Sequence, residues 1–538
     1  MDSILNEFKQ NIFIWYDFKQ DASVLAFGEN MEEYENILKS KVKNIVFETD
    51  KNNIGGQFDY ILVKDDIEQI QNIKHFLKSD GTIILLMKNR FGIRYFAGDR
   101  YKSCQAFSTL YNENSGLLSK YDIEKILKKY GFSDYKFYYP VPDYNVATTI
   151  FSDNYLPESG NTKITYNNAY EENVKVVFDE ARVIKKFVEC GIFDFFANAF
   201  LIEINPKCNV KFVSYNNIRR KEYRLVTKIY DTEVVKEPIS SEAENHIKNM
   251  KKYIEDLKNH NIKNLDKGQE NQIISKYMST PSLYEYILEK IKKNDIEGSI
   301  KIIKKWYDYL HEKFAGDKQE NLNENIECDQ DTLKKLTIVK NAYIDLVFEN
   351  AFIIDEEFVF FDQEWCFENL PIEFILYRAI NNMYSYNWEI EENLPKEELF
   401  KKFEIFEFLE LFKNMEIYVQ STIADFEVDE KYNKIHKIIN FTETLEKLSN
   451  LEKAYSDLTI KLQDVKDENE YNEKKLKEKI QHKEMHEKEL ETALAERQET
   501  INKLNEIIKV KDNQINDLEN MKIVKISKKL RNLKDGNK

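Results

Sequence analysis

Over the first 160 residues, short apolar runs alternate with amphipathic stretches. Residues 23–27 (SVLAF) read as a strand ending at Gly28, 31–41 as a helix, and 44–47 as a second strand ending at Glu48. The run FDYILV at 58–63 is a third strand, 67–77 a helix closed by Asp80-Gly81, and 82–87 a fourth strand. A helix over 121–130 stops at Gly131, and 135–139 and 148–151 are terminal strands. This alternation predicts a parallel α/β sheet, whose ligands bind at the carboxyl ends of the strands.

The pattern changes between residues 165 and 440. A helical stretch, 171–199, leads into strand-like runs at 200–204, 210–215 and 223–230. EVVKEP puts Lys236 on a short strand, and Ser240-Ser241 opens a helix carrying Glu242 and Glu244. Residues 271–278 read as a strand, 279–282 as a turn before a helix starting at Leu283, and 296–314 as a long amphipathic helix. After a polar insertion at 315–331 comes YIDLVFENAFIIDEEFVFFDQEW, residues 343–365. In it Asp345 is followed five residues later by Asn350, then by two apolar runs around the acidic turn 355–357, and then by Asp362.

Phosphoryl transfer from ATP needs a carboxylate that takes the acceptor hydroxyl's proton, and an amide oxygen plus a further carboxylate that hold magnesium on the phosphates. Kinases place the first aspartate and the asparagine on one loop, follow it with a hairpin, and end that hairpin with the second aspartate. Asp345, Asn350 and Asp362 have this order and spacing, with Tyr343 where a histidine is usual. A strand lysine paired with a helix glutamate grips the α/β-phosphates in such sites. Lys236 is the candidate, with Glu242 or Glu244 as partner and Lys228 as the alternative lysine. The bland readings are an acidic hairpin and solvated charges.

Beyond residue 440 glycine and proline disappear until Gly536, while leucine and isoleucine recur at three- and four-residue steps among Glu and Lys. Leu451, Leu458, Leu462, Val465, Leu490, Leu494, Ile501, Leu504 and Ile508 belong to this seam, which predicts an α-helical coiled coil over 441–520 and hence self-association. The segment 521–538 turns basic around Ile523, Ile526, Leu530 and Leu533, the pattern of a peripheral membrane contact or of a frayed helix end.

Composition narrows these readings. The 538 residues carry a net charge of −16, which removes any global attraction to nucleic acid, and no basic groove interleaved with aromatics occurs. The five cysteines are scattered without a C-x-x-C pair, which indicates neither a zinc site nor a disulfide framework. With no signal peptide and no apolar run long enough to span a bilayer, a cytoplasmic protein is expected, at most peripheral at the inner face of the membrane.

The first 160 residues resemble a class I S-adenosylmethionine-dependent methyltransferase, through VLAFG, Glu48 at the tip of the second strand, and FDYILV followed by LKSDGTIILL. The resemblance implies that Gly28 lets the backbone approach the cofactor and that Glu48 binds its ribose. Of the glycine-rich loop only Gly28 is present, and ten residues separate Glu48 from Asp59. Residues 165–440 resemble the aminoglycoside and choline phosphotransferases, an α+β kinase-like fold. That implies Asp345 as catalytic base, Asn350 and Asp362 as magnesium ligands, and Lys236 as phosphate ligand. The order of modules is similar to bacterial methyltransferase–kinase–coiled-coil fusions that modify surface O-polysaccharide, with NRFGIRYFAGD, SDNYLP and DQEW among the shared stretches. The resemblance implies a glycan-modifying transferase with ATP and Mg2+, with S-adenosylmethionine as a further cofactor and a glycan or glycolipid as acceptor. The alternatives are a methyltransferase with a non-catalytic kinase-like half, and an inactive coiled-coil scaffold for glycosyltransferases.

Overall fold

A computed structural model describes residues 8–102, 104–158, 176–432, 439–480 and 487–535. The chain forms two compact units, Met1–Glu172 with Glu180–Lys434, and Asn173–Asp179 with Ile435–Lys538.

The first unit is built on one sheet of twelve strands among the described residues. In chain order these are β1 (Ser23–Phe27), β2 (Asn44–Glu48), β3 (Phe58–Lys64), β4 (Leu77–Lys88), β5 (Tyr135–Val141), β6 (Thr149–Ser152), β7 (Ala199–Ile204), β8 (Phe212–Tyr215), β9 (Leu225–Ile229) and β10 (Glu233–Pro238). The short β11 (Lys263–Asn264) lies outside this sheet, and β12 (Lys267–Gln269) and β13 (Gln272–Lys276) complete it. Across the sheet the order is β12-β13-β10-β9-β8-β6-β5-β7-β4-β3-β1-β2. β1 pairs in parallel with both β2 and β3, and β3 with β4, as the strand–helix alternation predicts. In the rest of this sheet, from β4 across to β12, every pairing is antiparallel.

Two features were not expected from the sequence. β7, which the apolar pattern groups with the second half, inserts between β4 and β5 and pairs antiparallel with both. Its six residues are all buried, so only a central position satisfies them. The sheet also runs on past residue 160, because β6 pairs with β8 through Thr149–Ser214 and Ile150–Val213. A single apolar cluster accordingly draws on Val24, Leu62, Ile84, Leu201, Val213 and Val226. At the far edge β2 is half exposed, with Val46 37% accessible, and no strand follows it outward.

Next to the β13 end stands a helical region whose core runs from Leu257 to Ile423 around the fully buried Trp306. Helix Leu283–Lys292 starts in a reciprocal cap between Ser282 and Glu285, where the turn at 279–282 predicts a helix start. Strands β14 (Ile338–Tyr343), β15 (Ala351–Ile354), β16 (Glu357–Phe360) and β17 (Cys366–Pro371) frame the Asp345–Asp362 segment. β15 and β16 form the expected hairpin, and β14 pairs with β17.

The second unit consists of helix Phe441–Ile480, 40 residues long, and helix Glu487–Asp535, 49 residues long. The seam residues Leu451, Leu458, Val465 and Leu494 are exposed to solvent. Most side chains of the basic tail lie outside the described residues. Among the described residues no helix is long and apolar enough to cross a membrane.

Candidate active site

Lys236 lies on β10 between β9 and β13, opposite Thr227 and Ile273, and is 9% exposed. A buried ammonium needs partners. Its partners come from the far end of the Asp345–Asp362 segment: Lys236 bonds the carboxylates of both Asp362 and Glu364. Asp362 has a left-handed backbone (φ 60), a conformation that aspartate tolerates better than most residues.

The expected pairing of Lys236 with Glu242 or Glu244 is therefore corrected. Glu242 is exposed in a short 3-10 turn, and Glu244 stands in the first turn of helix Glu244–Asn259. The group that this helix sends toward the site is His246, buried, with Nε2 4.0 Å from Glu364. Glu364 takes over as the lysine's carboxylate partner, and Arg219 bonds its other oxygen. Burial opposes its charge, but Arg219 and Lys236 hold the Glu364 carboxyl well below the usual range. The alternative lysine, Lys228, points away from the site and pairs with Glu237 at 3.0 Å and Asp17 at 3.3 Å.

Asp345 follows β14. One carboxylate oxygen accepts the backbone N–H groups of Glu364 (3.0 Å) and Trp365 (3.1 Å). Its main-chain carbonyl accepts Asn350 Nδ2 at 3.1 Å and Gln363 Nε2 at 2.9 Å. The Asn350 carbonyl in turn accepts the N–H of Phe361 at 3.0 Å. These bonds fasten the 345–350 loop to the 361–365 segment, which brings Asp345, Asn350, Asp362 and Lys236 together. Burial raises the Asp345 carboxyl to about 7, against the nearby Arg378 charge and with help from Glu364 and Asp362. A carboxylate so placed titrates near neutrality, as a general base should.

A magnesium ion on nucleotide phosphates needs only one or two protein carboxylates, the rest being phosphate and water. The donors here fit that need. Asn350 spends its amide nitrogen on Asp345, which leaves the amide oxygen as acceptor, and Asp362 is about a third exposed. No group of three or more His, Cys, Asp or Glu able to hold a metal by themselves occurs among the described residues.

Tyr343 is buried at the end of β14, and its hydroxyl donates to Asp256 of helix Glu244–Asn259. Its ring stacks on Phe314 at 6.2 Å. Through Asp256 it ties the helix to the end of β14. Sequence reading missed Arg219, His246, Glu364, Gln363 and Asp266. Asp266 is buried and accepts the Gln363 N–H at 3.3 Å, and burial raises its carboxyl to about 6. Of these, Gln363 and Glu364 carried a local signal, one and two residues beyond Asp362.

At the other end of the sheet, Phe27 and Glu48 are register partners on β1 and β2. Gly28 follows with φ 114, its N–H donating to the Glu48 carbonyl at 3.0 Å, and a Cβ there would meet nothing within 4 Å. Lys64 and Lys88 end β3 and β4. Lys64 pairs with Glu33 at 3.2 Å and lies 5.3 Å from the Tyr34 ring. Lys88 lies 5.4 Å from the Tyr101 ring, and burial with the Arg94 charge lowers its pKa.

No protein-family model matches the chain, and no curated protein matches it. Among solved structures it is similar to a SAM-dependent methyltransferase, a possible histamine N-methyltransferase from Thermotoga maritima, at 13% identity over 38% of this chain and 92% of that chain, TM-score 0.22. A plantazolicin methyltransferase in complex with SAH matches at 13% identity over 38% and 83%, TM-score 0.21. A cyclopropane-fatty-acyl-phospholipid synthase-like protein from Lactobacillus casei matches at 9% over 37% and 89%, TM-score 0.19. At such scores these likenesses carry no argument about the reaction, and the site's chemistry rests on the residues described above.

Proposed function

We propose that this chain is a transferase that moves the γ-phosphoryl group of Mg-ATP to a hydroxyl group, with a glycan or glycolipid as acceptor. The observation that carries this reading is the convergence of Lys236, Asp362, Asp345 and Asn350 from segments more than 100 residues apart. Lys236 would bind the phosphates. Asn350 and Asp362 would hold the magnesium ion, which neutralises charge as the phosphoryl group leaves. Asp345 would accept the proton of the attacking hydroxyl. The acceptor class is supported by the order of modules alone. The exposed seam of helix Phe441–Ile480 supports self-association through a coiled coil. Calorimetric titration with Mg-ATP tests the reading: binding that disappears in Asp362→Asn is expected, and no binding by the wild type would overturn it.

A second reading, methyl transfer from S-adenosylmethionine, is favoured by the parallel β2-β1-β3-β4 order and by Gly28 beside Glu48. Bound there, the cofactor would supply an electrophilic methyl group, with Glu48 accepting from its ribose hydroxyls. Titration with S-adenosylmethionine, in wild type and in Glu48→Ala, tests it independently of ATP.

A further inference from the structure

Nucleotide phosphates need covering donors as well as a lysine, and in kinases a glycine-rich loop between the first two strands supplies them. Here the corresponding segment joins β8 to β9 and reads NNIRRKEYR, residues 216–224, without a glycine. Arg219 in this segment bonds the Glu364 oxygen opposite the one that Lys236 holds. A single buried carboxylate thus carries two cations side by side. The Arg219 guanidinium also lies 5.3 Å from the Trp365 ring, which keeps it over the site.

The loop is fixed rather than adaptable. Asn217 is buried, accepts from Asn11 Nδ2 at 2.9 Å and donates to the Ala147 carbonyl at 3.3 Å. On the other side Arg220 donates its backbone N–H to Ile423 at 3.0 Å and its guanidinium to Ser421 at 2.7 Å. Arg224 Nε closes the loop on the Arg219 carbonyl at 2.8 Å.

We propose, resting on the phosphotransferase reading, that Arg219 is a second phosphate-binding cation for the nucleoside triphosphate and replaces the amides of a glycine-rich loop. Two cations, Lys236 and Arg219, face two carboxylates, Asp362 and Glu364. With Asp362 holding magnesium, Lys236 would be freed from one carboxylate, and Lys236 and Arg219 would both face the polyphosphate. Glu364 stays behind as the positioning residue that holds the two cations. A planar guanidinium suits this role, since it can bond a carboxylate and a phosphate at once.

The test is titration of the full chain with Mg-ATP and with adenosine, in wild type, Arg219→Ala, Arg219→Gln and Asp362→Asn. Arg219→Ala is expected to weaken Mg-ATP about ten- to a hundredfold, as for loss of a charge-assisted bond, and to leave adenosine unchanged. If Arg219→Ala melts early, Arg219→Gln, which can still donate to Glu364, carries the comparison. Wild-type affinity for Mg-ATP in these variants, or equal loss of ATP and adenosine, would reduce Arg219 to a structural tie and overturn the proposal alone. Absence of Mg-ATP binding in the wild type would overturn the phosphotransferase reading as well.

Discussion

Asn11 donates to Asn217 at 2.9 Å across 206 residues of chain, and both side chains are 3% exposed. Together with β7 between β4 and β5, this bond makes the N-terminal α/β part and the lysine-bearing strands one folded body. Residues 1–160 alone leave the facing edges of β4 and β5 unpaired, a template for aggregation. Such a fragment is expected to aggregate, whereas 1–434 melts cooperatively. Size exclusion and circular dichroism melts check this, and a soluble, cooperative 1–160 would refute it.

The Asn11→Ala substitution removes the donor to the buried Asn217 Oδ1 and one of the two donors to the Ala147 carbonyl (3.1 Å), which keeps Asn217 Nδ2. Urea unfolding of 1–434 should show a loss of about 1–3 kcal/mol.

Removal of the lysine charge tests the electrostatics of the site. Lys236→Met leaves Asp362 and Glu364 facing each other with Arg219 as the nearest remaining cation. Breaking a buried ionic group in this way should cost about 3 kcal/mol, and adding Glu364→Gln should restore part of it. A loss below about 1 kcal/mol would mean that Arg219 alone neutralises the pair.

Asp345 gives the protein a definite pH signature. Folded, it keeps its proton up to about 7; unfolded, it releases it near 4, so the folded state binds more protons between those values. Its contribution to stability therefore falls as pH rises through that window. Asp345→Asn stays neutral, so wild-type stability relative to this variant should drop by up to a few kcal/mol between about pH 5 and pH 8. Parallel urea curves at the two pH values decide it. Phosphotransfer by the wild type should show the opposite trend, rising as Asp345 loses its proton.

The exposed Leu451, Leu458, Val465 and Leu494 predict that the full chain self-associates while 1–434 does not. Light scattering after size exclusion measures both. Equal masses per chain would assign the long helices another partner.

The residues 343–365 were legible because hairpin and loop chemistry are local: Asp345, Asn350 and Asp362 stand within 18 positions and need only turn geometry to face one another. Ser282, Gly28 and Glu48 were legible for the same reason, as caps and strand ends. The lysine's partner was not. Glu242 and Glu244 are near Lys236 in sequence, yet Glu364, 128 residues on, holds it.

What the sequence determined by itself was the local order: parallel strands where apolar runs are continuous, a hairpin around an acidic turn, and long helices where glycine and proline are absent. Tertiary structure alone decided that β7 belongs in the N-terminal sheet, that β6 joins β8, and that Arg219, His246 and Glu364 meet at Lys236. Periodicity reports which face of an element is buried, not which distant element covers it. A buried charge takes whichever partner the packing brings within reach.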